Sequence, residues 1–510
     1  MNPFWYAVNA PQKRLRCPRL ARRGVPAGMS MTGADGRTSL SRKSGGIVMR
    51  AVVMIKALTI ALIAAPTGLS AAPLDEARAA QIVRAELKRL GVPSASVAIV
   101  LGDRIAYAQA FGKARLRPER GATTADRYQI GSISKQFLAA SILMLQEDGK
   151  LSLEDRVGQY LPELDSAAKV TLRQLLSHTA GIRDYWPQDY VFTRMRSPVS
   201  PAEILELWAR QPLDFPPGER WQYSNTGYTV AGVIFEKVAG ESLFAFMQHR
   251  VFGPLHMSSV QNADEEIVDS SDAVGYTRAA LGPLRPAPLV GKGWLFAAGG
   301  LAMTAEDLAG WDLSIIDQSL MKPPSYRQLE TEVLLSSGVG TRYALGLGVQ
   351  MSSERRILSH GGETSGFLSH NVIYPEQRAA IVVLTNSDAA DAAKALGDKL
   401  QDLVFEIVSP LDTARRLEAR RIFDGLRKGK LDRTLLSRNA DEYFTAEMVR
   451  DIARGIAPLG PVKSFELVSA GTRGGMDVRV YRIKLAKREL GLVTRSLPDG
   501  KLEQYMILAR

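Results

Sequence analysis

The sequence predicts an α/β chain of the α+β kind. An antiparallel sheet flanked by helices is assembled from two distant segments, with a helical lobe inserted between them and a small α+β domain after them. Three observations predict it. Ala95-Ser96-Val97-Ala98-Ile99-Val100-Leu101 and Ile105-Ala106-Tyr107-Ala108-Gln109-Ala110 read as a hairpin turning at Gly102-Asp103. A matching pair, Phe367 to Tyr374 and Ala379 to Thr385, flanks the turn Pro375-Glu376-Gln377-Arg378, and the sequence between the two pairs is mainly helical and loop-like. Beyond Ser409-Pro410 the composition changes again, to a basic helix, a second helix and a strand meander.

Each element has its own signal. Leu74 to Leu90 has helical spacing and stops near Gly91 and Pro93. Capping boxes start helices at Thr171-Leu172-Arg173-Gln174 and at Ser200-Pro201-Ala202-Glu203, the latter with proline in the first turn, and Thr304 caps a helix running to about Ile316. Ser132 opens a helix predicted over 132–146, anchored by Phe137, Leu138, Ile142 and Leu145 and stopped at Gly149. Segments 183–199 and 276–294 are loop-like and rich in aromatics and proline, suited to the rim of a cleft. A helix over about Asp391 to Ile407 closes the main domain, expected to span 73–410. In 411–510 the reading is a helix over Thr413 to Lys428, another over Ala446 to Ile456, and a meander over Phe465 to Leu508 turning at Asp499-Gly500.

Residues 1–72 read as a leader. They hold eleven Lys and Arg against Asp35 alone, so most of the chain's net charge of +12 sits there and the remaining sequence is about neutral. That distribution argues against a nucleic-acid partner, which needs clustered bases on a folded face. From Met54, Lys56 supplies a positive start, Ala57 to Ala65 an apolar run, and Ser70-Ala71-Ala72 the small residues of a cleavage site. The expectation is a signal peptide over 49–72, translation starting at Met49 or Met54, and export to the periplasm or medium. No integral span is expected once the signal is removed, because the apolar run is shorter than the roughly 20 residues a membrane helix needs. The oligomeric state stays open.

The single cysteine, Cys17, also falls in the leader, leaving the body without a thiolate nucleophile or a disulfide. The five histidines include no pair at metal-ligand spacing, and no dinucleotide or P-loop glycine pattern is present. The expectation is a chain that needs neither metal nor organic cofactor and acts on a small-molecule or peptide substrate.

Three short motifs carry chemistry: Ser132-Ile133-Ser134-Lys135, Tyr223-Ser224-Asn225 and His360-Gly361-Gly362. Ser-x-x-Lys recurs at Ser166 to Lys169 and at Ser319 to Lys322. Only Ser132 precedes a long apolar helical run with both partner motifs downstream, and Tyr223 to Asn225 is the one Tyr-x-Asn in the chain. Residues i and i+3 share a helix face, so Ser132 and Lys135 can enter one cleft. A serine hydroxyl needs a neighbour to take its proton. Lys and Tyr ordinarily titrate near 10, so burial must lower the amine or a nearby cation must lower the phenol. Which of Lys135 and Tyr223 takes the proton is open at this point.

The three motifs resemble those of the serine β-lactamase and penicillin-binding-protein superfamily, with the tyrosine pointing to the branch related to class C β-lactamases. Tyr128 to Leu164, Leu175 to Ile182 and Gly299 to Trp311 are similar to it as well, so the resemblance covers roughly 80–400. It implies the β-lactamase/DD-peptidase fold and catalysis by Ser132 through an acyl-enzyme. Lys135 and Tyr223 would share proton transfer, and Asn225 would bond the lysine or the substrate amide. The backbone N–H groups of Ser132 and Glu363 would form the oxyanion hole. The third motif departs from the usual Lys-Thr-Gly: His360 and Gly361 remove an ammonium and a hydroxyl that engage a substrate carboxylate. His360 would donate a hydrogen bond, assist proton transfer, or serve structurally on backbone. Gly361 and Gly362 would admit a bulkier acyl group or a closer backbone. The activity implied is ester or amide hydrolysis of the esterase, D-amino-acid peptidase or DD-carboxypeptidase kind, with a class C-like β-lactamase as an alternative. The rival is a non-catalytic binding or scaffold protein for cell-wall ligands that keeps the pocket. His178 reads as a structural residue holding the loop around Gly181. Asp184, Tyr185 and Trp186 either line the cleft or are surface-loop residues.

Overall fold

The computed structural model describes residues 74–187, 190–265, 272–352 and 355–509. The leader and its signal-peptide reading lie outside the described residues. From Ala71 onward the chain forms one compact unit.

Its main sheet has seven antiparallel strands. In chain order they are β1 (Ser94–Leu101), β2 (Arg104–Leu116), β3 (Glu119–Gly121), β4 (Gly348–Ser352), β5 (Arg355–Thr364), β6 (Phe367–Tyr374) and β7 (Ala379–Thr385). Their order across the sheet is β3-β2-β1-β7-β6-β5-β4. The two hairpins read from the sequence are therefore joined directly, β1 against β7, with Ala95 opposite Thr385 and Leu101 opposite Ala379. Both of these strands are apolar on both faces because both faces are covered. On one side α1 (Glu76–Leu90) and the late helix Ala392–Val408 bury Val83, Leu87, Leu396 and Leu400 against Val97, Ile99 and Val383. On the other side the inserted lobe packs its helices on Ala98, Val100 and Val382.

Three lobe helices matter for the site: α2 (Ser134–Glu147), α3 (Asn225–Ala239) and α4 (Ala305–Asp317). Helix α2 is buried from Ser134 to Leu145 on every face, so it is the axle of the lobe. The expected helix over 132–146 is corrected at its start. Gly131–Ile133 form a 3-10 turn and the α-helix begins at Ser134, which puts Ser132 on the turn ahead of the helix. The capping boxes at Thr171 and Ser200 form as read, with the Ser200 helix continuing as a wider π turn over Leu205–Ala209. Loops 183–199 and 276–294 pack on each other through Tyr185, Met195, Val199 and Trp294, with Val199 N–H bonded to Lys292 O.

Residues beyond Ser409 fold as helices Pro410–Leu426 and Ala446–Ile456 against a four-stranded antiparallel meander over Val462–Ala509. They enclose a core of their own, from Phe423 through Tyr481 to Tyr505. Asp412 links this part to the main sheet by ion pairs to Arg355 of β5 and Arg479 of the meander. Among the described residues no helix is long and apolar enough to cross a membrane.

Candidate active site

The fold brings all three motifs to one place. Lys135 projects from the first turn of α2 and its side chain is fully buried. Its Nζ lies 3.0 Å from Ser132 Oγ, 2.8 Å from Asn225 Oδ1 and 2.7 Å from the carbonyl oxygen of Ala298. The amine also stands over the rings of Tyr223 and Tyr228, 4.8 and 5.2 Å from their centres. Desolvation lowers the lysine from its usual range to about 7, with the nearby Asp184 carboxylate working in the opposite direction.

The three contacts are not equivalent. A carbonyl oxygen and an amide oxygen only accept hydrogen bonds, whereas a hydroxyl both donates and accepts. A neutral amine has two N–H donors and one lone pair. With Ala298 O and Asn225 Oδ1 taking the two donors, the lone pair is left facing the Ser132 hydroxyl. The amide orientation is not arbitrary, because Asn225 Nδ2 donates to Asp184 Oδ2 at 3.3 Å and Asn225 N–H to Asp184 Oδ1 at 2.9 Å.

Backbone packing positions Ser132. Gly131 holds φ +53°, and a Cβ there would lie 2.7 Å from the Glu363 nitrogen, so the serine turn touches strand β5 at the end of the third motif. Gly362 is required for a related reason, since a Cβ on it would approach Ile130 O to 1.8 Å. Of the two expectations for this glycine, the closer backbone is the one the structure realises. Gly361 sits on the opposite strand face, where a Cβ would meet nothing nearer than 3.8 Å.

His360 is buried, with Nδ1 2.5 Å from Gly361 O and Nε2 2.8 Å from Tyr343 Oη. A carbonyl cannot donate, so Nδ1 carries the proton and Nε2 accepts from the Tyr343 hydroxyl. Burial drives the imidazole down to about 3, which keeps it neutral. His360 is thus bonded to backbone and to a tyrosine at once, and its one N–H already has an acceptor.

Tyr223 is half-buried and stacks on His178, with ring centres 4.1 Å apart. His178 Nδ1 accepts the Ser224 N–H at 3.1 Å, and its carbonyl accepts Gln222 N–H. The histidine reads as structural here too, but what it holds is the second motif as well as the bend near Gly181. Ser224 then caps α3 by accepting from Gly227 N–H, which places Asn225 in the first turn, pointing at Lys135.

Four contributors escaped the sequence reading. Tyr343 and Tyr228 complete the aromatic wall, and the Ala298 carbonyl completes the lysine cage. Asp264 shapes the turn that carries Ala298: its carboxylate accepts the N–H groups of Gly293, Leu295 and Phe296 at 3.0–3.1 Å, and Phe296 is held at φ +27°. Asp184, read from the sequence as either a cleft-lining or a surface-loop residue, is a direct partner of Asn225. Tyr185 from the same loop donates to Trp294 O, joining the two rim loops. Among the described residues no group of three or more His, Cys, Asp or Glu side chains is placed to hold a metal ion.

Known proteins resemble this chain in sequence and in fold. A penicillin-binding protein of Bacillus subtilis (strain 168) is 28% identical over 302 residues, covering 56% of this chain and 66% of its own length. A D-aminopeptidase of Cereibacter sphaeroides is 28% identical over 314 residues, 59% of this chain and 58% of that protein. The chain therefore spans about two thirds or less of these relatives. The crystal structure of a D-stereospecific amidohydrolase from Streptomyces sp. is 26% identical, covers 66% of this chain and 99% of its own, and superposes with a TM-score of 0.56. The Beta-lactamase family profile matches residues 79–404, and with that stretch this chain belongs to the β-lactamase family, within the serine β-lactamase and penicillin-binding-protein superfamily.

Proposed function

We propose that the protein is a serine hydrolase that cleaves an ester or amide bond through an acyl-enzyme on Ser132, with Lys135 as the base. One observation carries this reading. The buried Lys135 amine has two pure acceptors and a single hydroxyl around it, so its lone pair is directed at Ser132 Oγ. An amine brought down to about 7 is matched to that task near neutral pH. Ser132 Oγ attacks the substrate carbonyl carbon and its proton passes to Lys135 Nζ. The carbonyl oxygen gains negative charge beside the N–H groups of Ser132 and Glu363. The proton then goes to the leaving amine or alkoxide as the carbon–heteroatom bond breaks, with Tyr223 beside Lys135 to relay it. Water attacks the acyl-serine by the same route in reverse.

The third motif narrows the substrate. His360 offers no cation and has its N–H engaged with Gly361 O, so nothing in this motif replaces the ammonium and hydroxyl that bind a carboxylate. A charge-assisted hydrogen bond contributes about 1.5–3 kcal/mol, which is roughly a tenfold to hundredfold difference in rate. Neutral esters and D-amino-acid amides should exceed penicillins and peptides ending in a D-Ala carboxylate by that factor in kcat/KM. The relatives named a D-aminopeptidase and a D-stereospecific amidohydrolase support the amide side of this choice. We take 411–510 as a small accessory domain with its own core, joined to the main domain within one compact unit, and the protein as exported.

A fluorophosphonate probe tests the covalent step, and a panel of p-nitrophenyl esters, D-amino-acid amides and nitrocefin tests the substrate. Labelling should stop in Ser132→Ala. Labelling of Ser132→Ala at the wild-type rate would place the nucleophile elsewhere. A wild-type protein that no acyl probe or substrate modifies would favour the non-catalytic binding reading. Nitrocefin turned over faster than every neutral ester would move carboxylate recognition to another group.

A further inference from the structure

Behind the lysine cage lies a carboxylate that touches neither Ser132 nor Lys135. Asp184 is half-buried at the start of the rim loop, and its two oxygens accept Asn225 N–H at 2.9 Å and Asn225 Nδ2 at 3.3 Å. The Trp186 N–H adds a third donor. Burial raises the Asp184 carboxyl above its ordinary range, and the three N–H donors and the nearby Lys135 work against that rise by favouring the carboxylate. The basic residue next to it does not neutralise it, because Arg183 is paired with Asp214 at 3.0 Å.

We propose that Asp184 is a positioning residue for the reaction: it locks the Asn225 amide with Oδ1 toward Lys135 and sets one negative charge behind the amine. The inference rests on the assignment of Ser132 and Lys135 made above and adds to it a residue that neither motif contains. An amide reversed by half a turn would present Nδ2 to Lys135, and two donors would face each other. The lone pair would then have no fixed direction.

The charge has its own effect. Desolvation alone pushes a buried lysine far down, and a very weak base takes a serine proton poorly. Asp184 opposes that fall. The buried histidines and tyrosines around the amine are neutral near pH 7: burial drives His178 and His360 well below their ordinary range and Tyr185, Tyr228 and Tyr343 above theirs. Tyr223 stands over Lys135 through its ring. Among the described residues, Asp184 is the carboxylate whose charge raises the Lys135 amine.

The full chain and its Asp184→Asn variant are labelled with a fluorophosphonate from about pH 5 to about pH 10, and the second-order rate is followed. The wild-type acid limb should have its midpoint at about 7. In Asp184→Asn the midpoint should move down by about one unit or more, the effect of removing an opposite charge close by. The alkaline plateau should fall by roughly tenfold or more, as expected when a base loses its alignment. A midpoint that stays in place overturns the proposal even if the plateau drops, because loss of mere structural support lowers amplitude without moving the limb. Asp184→Ser removes the same charge with a smaller side chain and should shift the limb in the same direction, which keeps the test available if the asparagine variant fails to fold. Ser132→Ala separates the two levels. If it is silent at every pH while Asp184→Asn keeps the wild-type limb, only the role of Asp184 fails; if it labels normally, the underlying assignment fails.

Discussion

Two adjacent residues of α2, Lys135 and Gln136, each head a buried relay that runs through an asparagine to an aspartate. Lys135 bonds Asn225, which bonds Asp184. On the other side of the helix Gln136 Nε2 donates to Asn371 Oδ1 at 2.9 Å, and Asn371 Nδ2 donates to both oxygens of Asp312 at 2.6 and 2.7 Å. Gln136 Oε1 accepts the indole N–H of Trp311 at 2.8 Å. The residue types are nearly the same, yet only one relay is placed for chemistry. The Gln136 relay ends at a tryptophan N–H and leaves no lone pair facing a group that can give up a proton. The Lys135 relay ends at a hydroxyl on a half-buried turn, with the only amine in either relay beside it. Buried polar networks hold a core in register when every member is satisfied. In the proposed reaction, reactivity comes from one member whose lone pair is aimed at a donor that can leave.

Substitutions can break that contrast. The largest effect should come from Ser132→Ala, which ends the Lys135 relay in a methyl group and abolishes turnover and labelling. Adding Lys135→Ala should cost little more, because members of one catalytic unit are not additive. Tyr223→Phe keeps the ring that stacks on His178 and removes the phenolic proton. Steady-state kinetics should show a loss of about 10²–10⁴-fold, the range of general acid–base assistance. Full activity in this variant would leave Lys135 as the sole proton carrier.

Asp264→Ala should fall next. It removes the acceptor of three backbone N–H groups that hold the turn before Ala298, so the carbonyl in the lysine cage loses its support. A plateau loss of about tenfold to a hundredfold is expected, equivalent to one or two steps of about 1.4 kcal/mol. Because Asp264 does not set the charge at Lys135, the labelling midpoint should stay closer to wild type than in Asp184→Asn. A wild-type plateau would mean the turn needs no such support.

The smallest effect belongs to the silent relay. Burial pushes the Asp312 carboxyl well above its ordinary range, so a neutral amide is a close substitute for it. Asp312→Asn should leave labelling within about threefold of wild type, inside the tenfold that corresponds to about 1.4 kcal/mol. A loss as large as that of Asp184→Asn would show that both relays serve the nucleophile. His360 sharpens the comparison through stability. Its folded value of about 3 lies below the unfolded value near 6.5, so the unfolded chain binds the extra proton between them. Its contribution is complete above about pH 6.5 and is lost as pH falls toward about 3. Thermal unfolding should therefore drop across that window, with a shallower slope in His360→Gln.

What the sequence disclosed follows from where the information sits. Ser132, Lys135, Tyr223 and Asn225 are side chains whose chemistry is written in their identity, and short motifs preserve their spacing. The paired hairpins were legible because apolar alternation and turn residues are local signals. The Ala298 carbonyl was not legible, since every residue has one and its partner lies 163 positions away. Asp184 sits 41 positions from Asn225, and only the fold joins them. The 3-10 turn at Ser132 has Gly131 lying against the backbone of Glu363 in β5, a contact that no local pattern encodes. Helix α3 went unread because its start, Ser224-Asn225-Thr226-Gly227, resembles a turn until the serine caps Gly227.

The most direct test of the central claim is the pH dependence of fluorophosphonate attachment to the wild-type protein, with the modified residue mapped by peptide mass spectrometry. A single adduct is expected, on Ser132, forming at a rate that rises with pH through one midpoint at about 7 as Lys135 loses its proton. An adduct on any other residue, or a rate on Ser132 that is flat across neutral pH, would contradict it.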